Sequence, residues 1–270
     1  MATDHRSPAG PLTGLWSALS WLTVLPLPQP QHAWNRHTGG AAIAAVPVVG
    51  LLLGITAAAA AFGLAHTSVP STVIGVLLVV LLALSTRGMH LDGLADTVDG
   101  LGCYGDPERV RAVMRSGDVG PFGAAALVLV LVLQALCLAA LVDAHRWYAV
   151  VLAVLIGRVM VVLACRRGLS SANPDGFGAL VAGTQRFSIA VWCGFTAAAA
   201  LAAGWLDAPI APVAFAPTPA VTALAALAAA CAGTWLLTRH CARRLGGITG
   251  DVLGAVIELS TAAALVILLV

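Results

Sequence analysis

Apolar and polar residues fall into long blocks along the chain. Seven mainly apolar blocks, at 40–64, 69–89, 119–142, 147–165, 187–205, 220–238 and 251–270, match the roughly twenty residues that a helix needs to cross a bilayer. An eighth, at 12–25, is short, holds Trp16 and Trp21 and ends in the proline cluster LPLPQP. Tryptophan favours the headgroup level, so this piece is expected to be interfacial or re-entrant. The fold class expected is therefore all-α: a polytopic integral membrane protein with about seven transmembrane helices plus a short N-terminal interfacial or re-entrant helix. No internal repeat and no domain linker breaks the pattern, so residues 1–270 read as a single membrane-embedded domain. The uncharged APIAPVAFAPTPA reads as a plain exterior loop.

Composition agrees. Of the 270 residues, 60% are hydrophobic and 10% charged, against about 25% charged in an ordinary soluble domain. A soluble globule of this size needs a polar shell, so the lipid bilayer is the expected solvent. A net charge of +2 is too small to point to nucleic acid. All fourteen cations are arginines, and their placement gives sidedness. Arg6 and Arg36 precede the first span; Arg87, Arg109, Arg111 and Arg115 follow the second. Arg166, Arg167 and Arg186 follow the fourth, and Arg239, Arg243 and Arg244 follow the sixth. Twelve thus share one side, against Arg146 on the other and Arg158 inside the fourth span. By the positive-inside rule the N-terminus is expected in the cytoplasm and the C-terminus opposite. MATDHRSPAG lacks the features of a signal peptide. The six cysteines, Cys103, Cys137, Cys165, Cys193, Cys231 and Cys241, are scattered without metal-ligand spacing and read as small buried side chains.

The polar blocks carry the candidate chemistry. HLDGLADTVDG, His90 to Gly100, follows the second span. At about 100° per residue, Asp92, Asp96 and Asp99 fall within about 60° of one another, opposite Leu94, Val98 and Leu101. A solvated helix face would explain one such stripe, but like charges at this spacing repel and no cation is interleaved. Oxygen-only ligands of this kind suit a hard divalent ion, Mg²⁺ or a relative such as Mn²⁺. His90 precedes the stripe and is a candidate base or phosphate contact, although a lone histidine is more often structural. Downstream, Asp106 is placed to cap a helix with Pro107 at its first position. That helix carries Arg109, Arg111 and Arg115, of which Arg115 is the candidate anion contact.

GGITGDVLGAVIE, Gly246 to Glu258, holds a second acidic pair. Asp251 and Glu258 are seven apart and share a face, with Glu258 about 10 Å deeper in the span. A carboxylate inside a span costs on the order of 3 kcal/mol on insertion scales and is a functional candidate by default. Gly250 and Gly254 suit close helix packing, which accounts for the glycines and not for the acids. Between spans four and five, CRRGLSSANPDGFGALVAGTQRF is the longest polar loop. Its cations and its glycines, Gly176 and Gly178 among them, suit an anionic substrate, and a simple loop is the equal alternative. Arg158 is a cation inside a span, which seldom lacks a partner.

HLDGLADTVDG, MRSGDVGPFG, GFGAL and GGITGDVLGAVIE, in this order within a seven-span chain, resemble the cobalamin synthase family, the adenosylcobinamide-GDP ribazoletransferases. The resemblance runs from LSWLTVLPLP to the last span. It implies an Mg²⁺-dependent phosphotransferase of the last steps of cobalamin biosynthesis, in a bacterial cytoplasmic (inner) membrane with its active site on the cytoplasmic side. Its substrates would be adenosylcobinamide-GDP and α-ribazole or its 5′-phosphate; GMP would leave. With displacement at a pyrophosphate in view, the expected roles are Asp92, Asp96, Asp99, Asp251 and Glu258 as metal ligands and Asp99 or His90 as base. Arg115, Arg158, Gly176 and Gly178 are expected to bind substrate. Many members of the family read Asp-Ser-Arg where this chain has SGD, Ser116 to Asp118, so no metal role passes to Asp118. Two alternatives share some of these features: a CDP-alcohol phosphotransferase, whose D-G-x-x-A-R pattern fails at Asp96, and a cation transporter. A homo-oligomer is left open.

Overall fold

The computed structural model describes residues 10–28, 34–207 and 218–270. Arg6 and most of the APIAPVAFAPTPA loop lie outside the described residues. Within them the chain forms α1 (Pro11–Leu22), α2 (Arg36–Ala65), α3 (Ser71–Ser85), α4 (Met89–Gly102), α5 (Pro107–Met114), α6 (Pro121–Asp143), α7 (Trp147–Ala164), α8 (Phe177–Val181), α9 (Phe187–Leu206), α10 (Pro219–Leu245) and α11 (Gly250–Leu268). Helices α2, α6, α7, α9, α10 and α11 are each long and apolar enough to cross a bilayer. The pair α3 and α4 passes the same test together but is bent by 92°.

That bend corrects the second apolar block, which has no interruption in its hydropathy through residue 85. Arg87 and Gly88 both adopt left-handed backbone, at φ 57° and 68°, so the helix stops at Ser85 and restarts at Met89 in a new direction. The aspartate helix α4 therefore leaves the span at a right angle. Asn35 starts α2 earlier than hydropathy implies: its side chain accepts from the N–H groups of His37 and Thr38, and the Thr38 hydroxyl accepts from the Asn35 N–H. This reciprocal cap satisfies donors that the first turn leaves open. Asp106 caps α5 through the Arg109 N–H at 2.9 Å, with Pro107 in the first turn, as its sequence predicts.

Helix α7 is the hub, packed against α2, α9, α10 and α11. Its side chains from Ala149 to Ala164 are buried except Val151 and Leu163. Small residues let the helices meet, since lipid gives no hydrophobic drive between spans and close packing must. A Cβ on Gly75 of α3 would lie 2.1 Å from the Ala135 carbonyl oxygen of α6.

The arginines do more than mark sidedness. Arg111 donates to the Leu245 carbonyl at the end of α10, and Arg244 to Cys103 at the end of α4. Arg87 reaches the Trp21 carbonyl at the end of α1, Arg146 the Leu268 carbonyl of α11, and Arg36 the Ala182 carbonyl after α8. Each places a cation where a helix leaves carbonyls unpaired and its dipole is negative. Arg146, the exception to the sidedness pattern, is one of these caps.

Candidate active site

The site is organised by the crossing of α4 and α11. A Cβ on Gly93 would lie 2.7 Å from the Asp251 carbonyl oxygen, and one on Gly254 3.1 Å from that of His90. The two backbones are thus in contact, and the Asp92 and Asp251 turns come together. Thr249 fixes the start of α11: its hydroxyl accepts from the Val252 N–H and donates to the Asp251 carboxylate at 3.2 Å.

Asp92 and Asp251 line one cavity of about 260 Å³ between α1, α2, α4, α7, α8 and α11. Asp96 stands one turn further along α4. Burial comes first, then repulsion from Asp92, Asp251 and Asp99, in pushing the Asp96 carboxyl up to about 6. Among the described residues no arginine or histidine forms an ion pair with these three acids. Nor do three acidic, histidine or cysteine side chains meet closely enough there to hold one ion alone.

The other predicted acids are placed differently. Asp99 is turned to the start of α6, where its carboxylate accepts from the Gly120 N–H at 2.7 Å and the Gly123 N–H at 2.9 Å. A Cβ on either glycine would overlap that carboxylate, so GPFG is the shape of its socket. Glu258 is buried inside the bundle. It accepts from the Gln134 side chain at 2.9 Å and lies 3.9 Å from His90 Nδ1, with the Arg158 charge acting on it. A separate small void of about 10 Å³ touches Arg158, Glu258, Gln134 and Thr261. Glu258 is thus the acid whose charge acts on the cation of the fourth span, without a direct ion pair between them. Neither Asp99, Glu258 nor Arg158 lines the larger cavity, and the His90 Nδ1 is buried on the Glu258 side.

Arg115, the residue that ends α5, is exposed and donates to the Asn173 side chain at 3.3 Å, joining its turn to the 170s loop. That loop is stitched to the start of α11. The Ala172 N–H donates to the Ile248 carbonyl at 3.0 Å and the Ile248 N–H to Ser170 at 2.9 Å. Gly176 sits at φ 129°, a conformation L side chains rarely adopt, while a Cβ on Gly178 would lie 2.7 Å from the Ile248 carbonyl oxygen. Both glycines therefore shape the loop that carries Phe177 to the cavity wall. Three residues escaped the sequence reading. Gln134 was signalled as a lone amide in the middle of an apolar span. Phe177 carried no signal, and Trp21 read only as an interfacial anchor.

An all-helical bundle of this kind, with a cavity walled in part by two acid-bearing helices, defines a polytopic membrane protein with a built internal site. The chain belongs to the cobalamin-5-phosphate synthase family, whose description matches residues 14–269. It is 41% identical over 263 residues to the adenosylcobinamide-GDP ribazoletransferase of Frankia casuarinae, covering 93% of this chain and 92% of that one. To the protein of the same name from Corynebacterium diphtheriae it is 35% identical, covering 94% and 88%. To that of Geotalea daltonii it is 35% identical, covering 90% and 91%. No solved structure matches the chain.

Proposed function

We propose that the chain joins α-ribazole, or its 5′-phosphate, to adenosylcobinamide-GDP at the cytoplasmic face of a bacterial inner membrane. A ribose hydroxyl of the acceptor attacks the phosphorus bonded to cobinamide. The new P–O bond forms as the bond to the bridging oxygen breaks, and GMP leaves with that oxygen. The hydroxyl proton passes to the carboxylate face of the cavity. The observation that carries this reading is the convergence of Asp92 and Asp251 on one cavity, with Asp96 beside them and no ion-pairing cation among the described residues.

Such a face fits Mg²⁺ of a particular kind. Magnesium keeps water and is commonly held by one or two carboxylates together with substrate phosphate oxygens, rather than by a closed protein cage. Asp92 and Asp251 supply two such carboxylates at the cavity, with Asp96 one turn further along α4. The ion would offset negative charge on the phosphate oxygens. Arg115, exposed beside the 170s loop, is positioned to add a cation from the rim. The engagement of Asp99 by α6, and of Glu258 by Gln134, supports support roles for both acids. The twelve-arginine face supports the cytoplasmic assignment.

The test is GMP release by the purified protein in detergent. Release should require adenosylcobinamide-GDP, α-ribazole and Mg²⁺ together. Release from a CDP-alcohol instead, or none when all three are present, overturns the proposal.

A further inference from the structure

The cavity has two unlike ends. One holds Asp92 and Asp251. Apart from His90, the remainder is mainly apolar: Ile43 and Val46 of α2, Ile257 of α11 and the aromatic pair Trp21 and Phe177. The two rings are 4.1 Å apart between centroids and inclined at 41°. Trp34 stands 5.7 Å behind Trp21. This aromatic corner joins separate parts of the chain. Trp21 ends α1 and is tied to the α3–α4 break through Arg87; Phe177 arrives on the loop stitched to Ile248. Besides the two acids, His90 and the Trp21 indole are the polar side chains that line the cavity.

We infer that this cavity is the acceptor's subsite, taking a flat apolar aromatic bicycle against Trp21 and Phe177 with its attached sugar at Asp92 and Asp251. The inference rests on the transfer proposed above, for which α-ribazole, a dimethylbenzimidazole riboside, has this shape. Size, wall chemistry and direction each support it. About 260 Å³ lies just below the roughly 300–1,000 Å³ of drug-sized ligand pockets, enough for a bicyclic base with part of a sugar and far too little for a corrinoid. Aromatic rings favour offset or tilted contact with another ring, which an open pair such as Trp21 and Phe177 offers. A guanine base would bring a hydrogen-bonding edge to an aliphatic wall, where unpaired polar groups are costly. With the methylated ring at the apolar end, the sugar hydroxyls emerge beside the two carboxylates, where the donor's pyrophosphate would lie.

The experiment uses the full chain in detergent. Val46→Phe fills the apolar end and Phe177→Ala removes a half-buried ring at the start of α8. Each should raise the KM for α-ribazole about tenfold or more, the scale at which an apolar pocket feels a misfit. The KM for adenosylcobinamide-GDP should stay within about twofold of wild type. A rise confined to adenosylcobinamide-GDP would assign the cavity to the guanosine end of the donor and overturn the inference, as would unchanged KM values in both variants. A binding measurement separates this from failure of the activity itself. Free dimethylbenzimidazole should quench tryptophan fluorescence of the wild type, and Val46→Phe should abolish that response while retaining the wild-type melting temperature. If no GMP is released but the base binds and Val46→Phe blocks it, the subsite stands without the proposed reaction. If GMP is released and the base does not bind in the wild type, the subsite falls and the reaction stands.

Discussion

Two groups of acids lie along the same helix crossing and meet opposite surroundings. Glu258 is sealed in the bundle with Gln134 donating to it, His90 nearby and the Arg158 charge beside it. Asp92 and Asp251 face a cavity, with Asp96 close enough to feel their charge, and none of the three has an ion-pair partner among the described residues. A buried carboxylate that is paired has its charge answered by the fold. A set of carboxylates that repel one another has its charge left for a ligand to answer. The difference separates acids engaged by the fold from acids left open to a ligand, although all were alike in sequence.

The comparison breaks most sharply at Asp92. Asp92→Asn should lower GMP release about a hundredfold, the upper range for loss of a metal-shell group, with no loss of thermal stability, because a repulsive charge is removed. Near-normal release at limiting Mg²⁺ would place Asp92 with the structural acids. On the sealed side, Arg158→Met should cost about 1–3 kcal/mol of stability, since Glu258 keeps its Gln134 donor but loses the positive charge acting on it. Glu258→Gln together with Arg158→Met should recover much of that loss. A thermal melt in detergent reads both, and a double variant no more stable than Arg158→Met alone would show that the two charges are not coupled.

Asp99→Asn should cost less, about 1–2 kcal/mol, since one of two accepting oxygens is replaced at the start of α6. Its activity per folded molecule should stay close to wild type. Activity loss well beyond the unfolded fraction would return Asp99 to the catalytic set. The smallest effect is the pH dependence of Mg²⁺ affinity. With the Asp96 carboxyl raised to about 6, protons compete with the ion below that pH, so apparent affinity should climb to about pH 6 and level above it. Asp96→Asn should flatten the climb; an unchanged profile would trace it to another group.

Sequence made the span pattern legible because apolar blocks of bilayer length have few other uses. The Asp106 cap and the α5 helix were legible for the same reason that short-range chemistry usually is: donor and acceptor lie three residues apart. The right-angle break at Arg87 and Gly88 was hidden, since hydropathy reports solvent and not direction. The acidic stripe on HLDGLADTVDG was visible, but helical phase alone cannot say what each side chain meets. Asp92 and Asp99 are 20° apart on the helical wheel, yet two turns of α4 carry one to the cavity and the other to the start of α6. Gln134 and Phe177 come from spans and loops far away in sequence, so their part in either group required the packed bundle.

The contact between the α4 and α11 backbones sets a mechanical limit. With Gly93 and Gly254 each at the point of nearest approach, these helices are already at their stop and cannot slide closer to bring their acids together. The distance between the two carboxyl groups is therefore gauged by main chain and tuned only by side-chain length. Exchanging aspartate for glutamate moves a carboxyl by one methylene, about 1.5 Å, which is the finest adjustment that this frame permits. A rigid stop paired with short acids is a coarse-set, fine-trimmed instrument, and a lineage altering the spacing of these carboxyl groups would have to do so one carbon at a time.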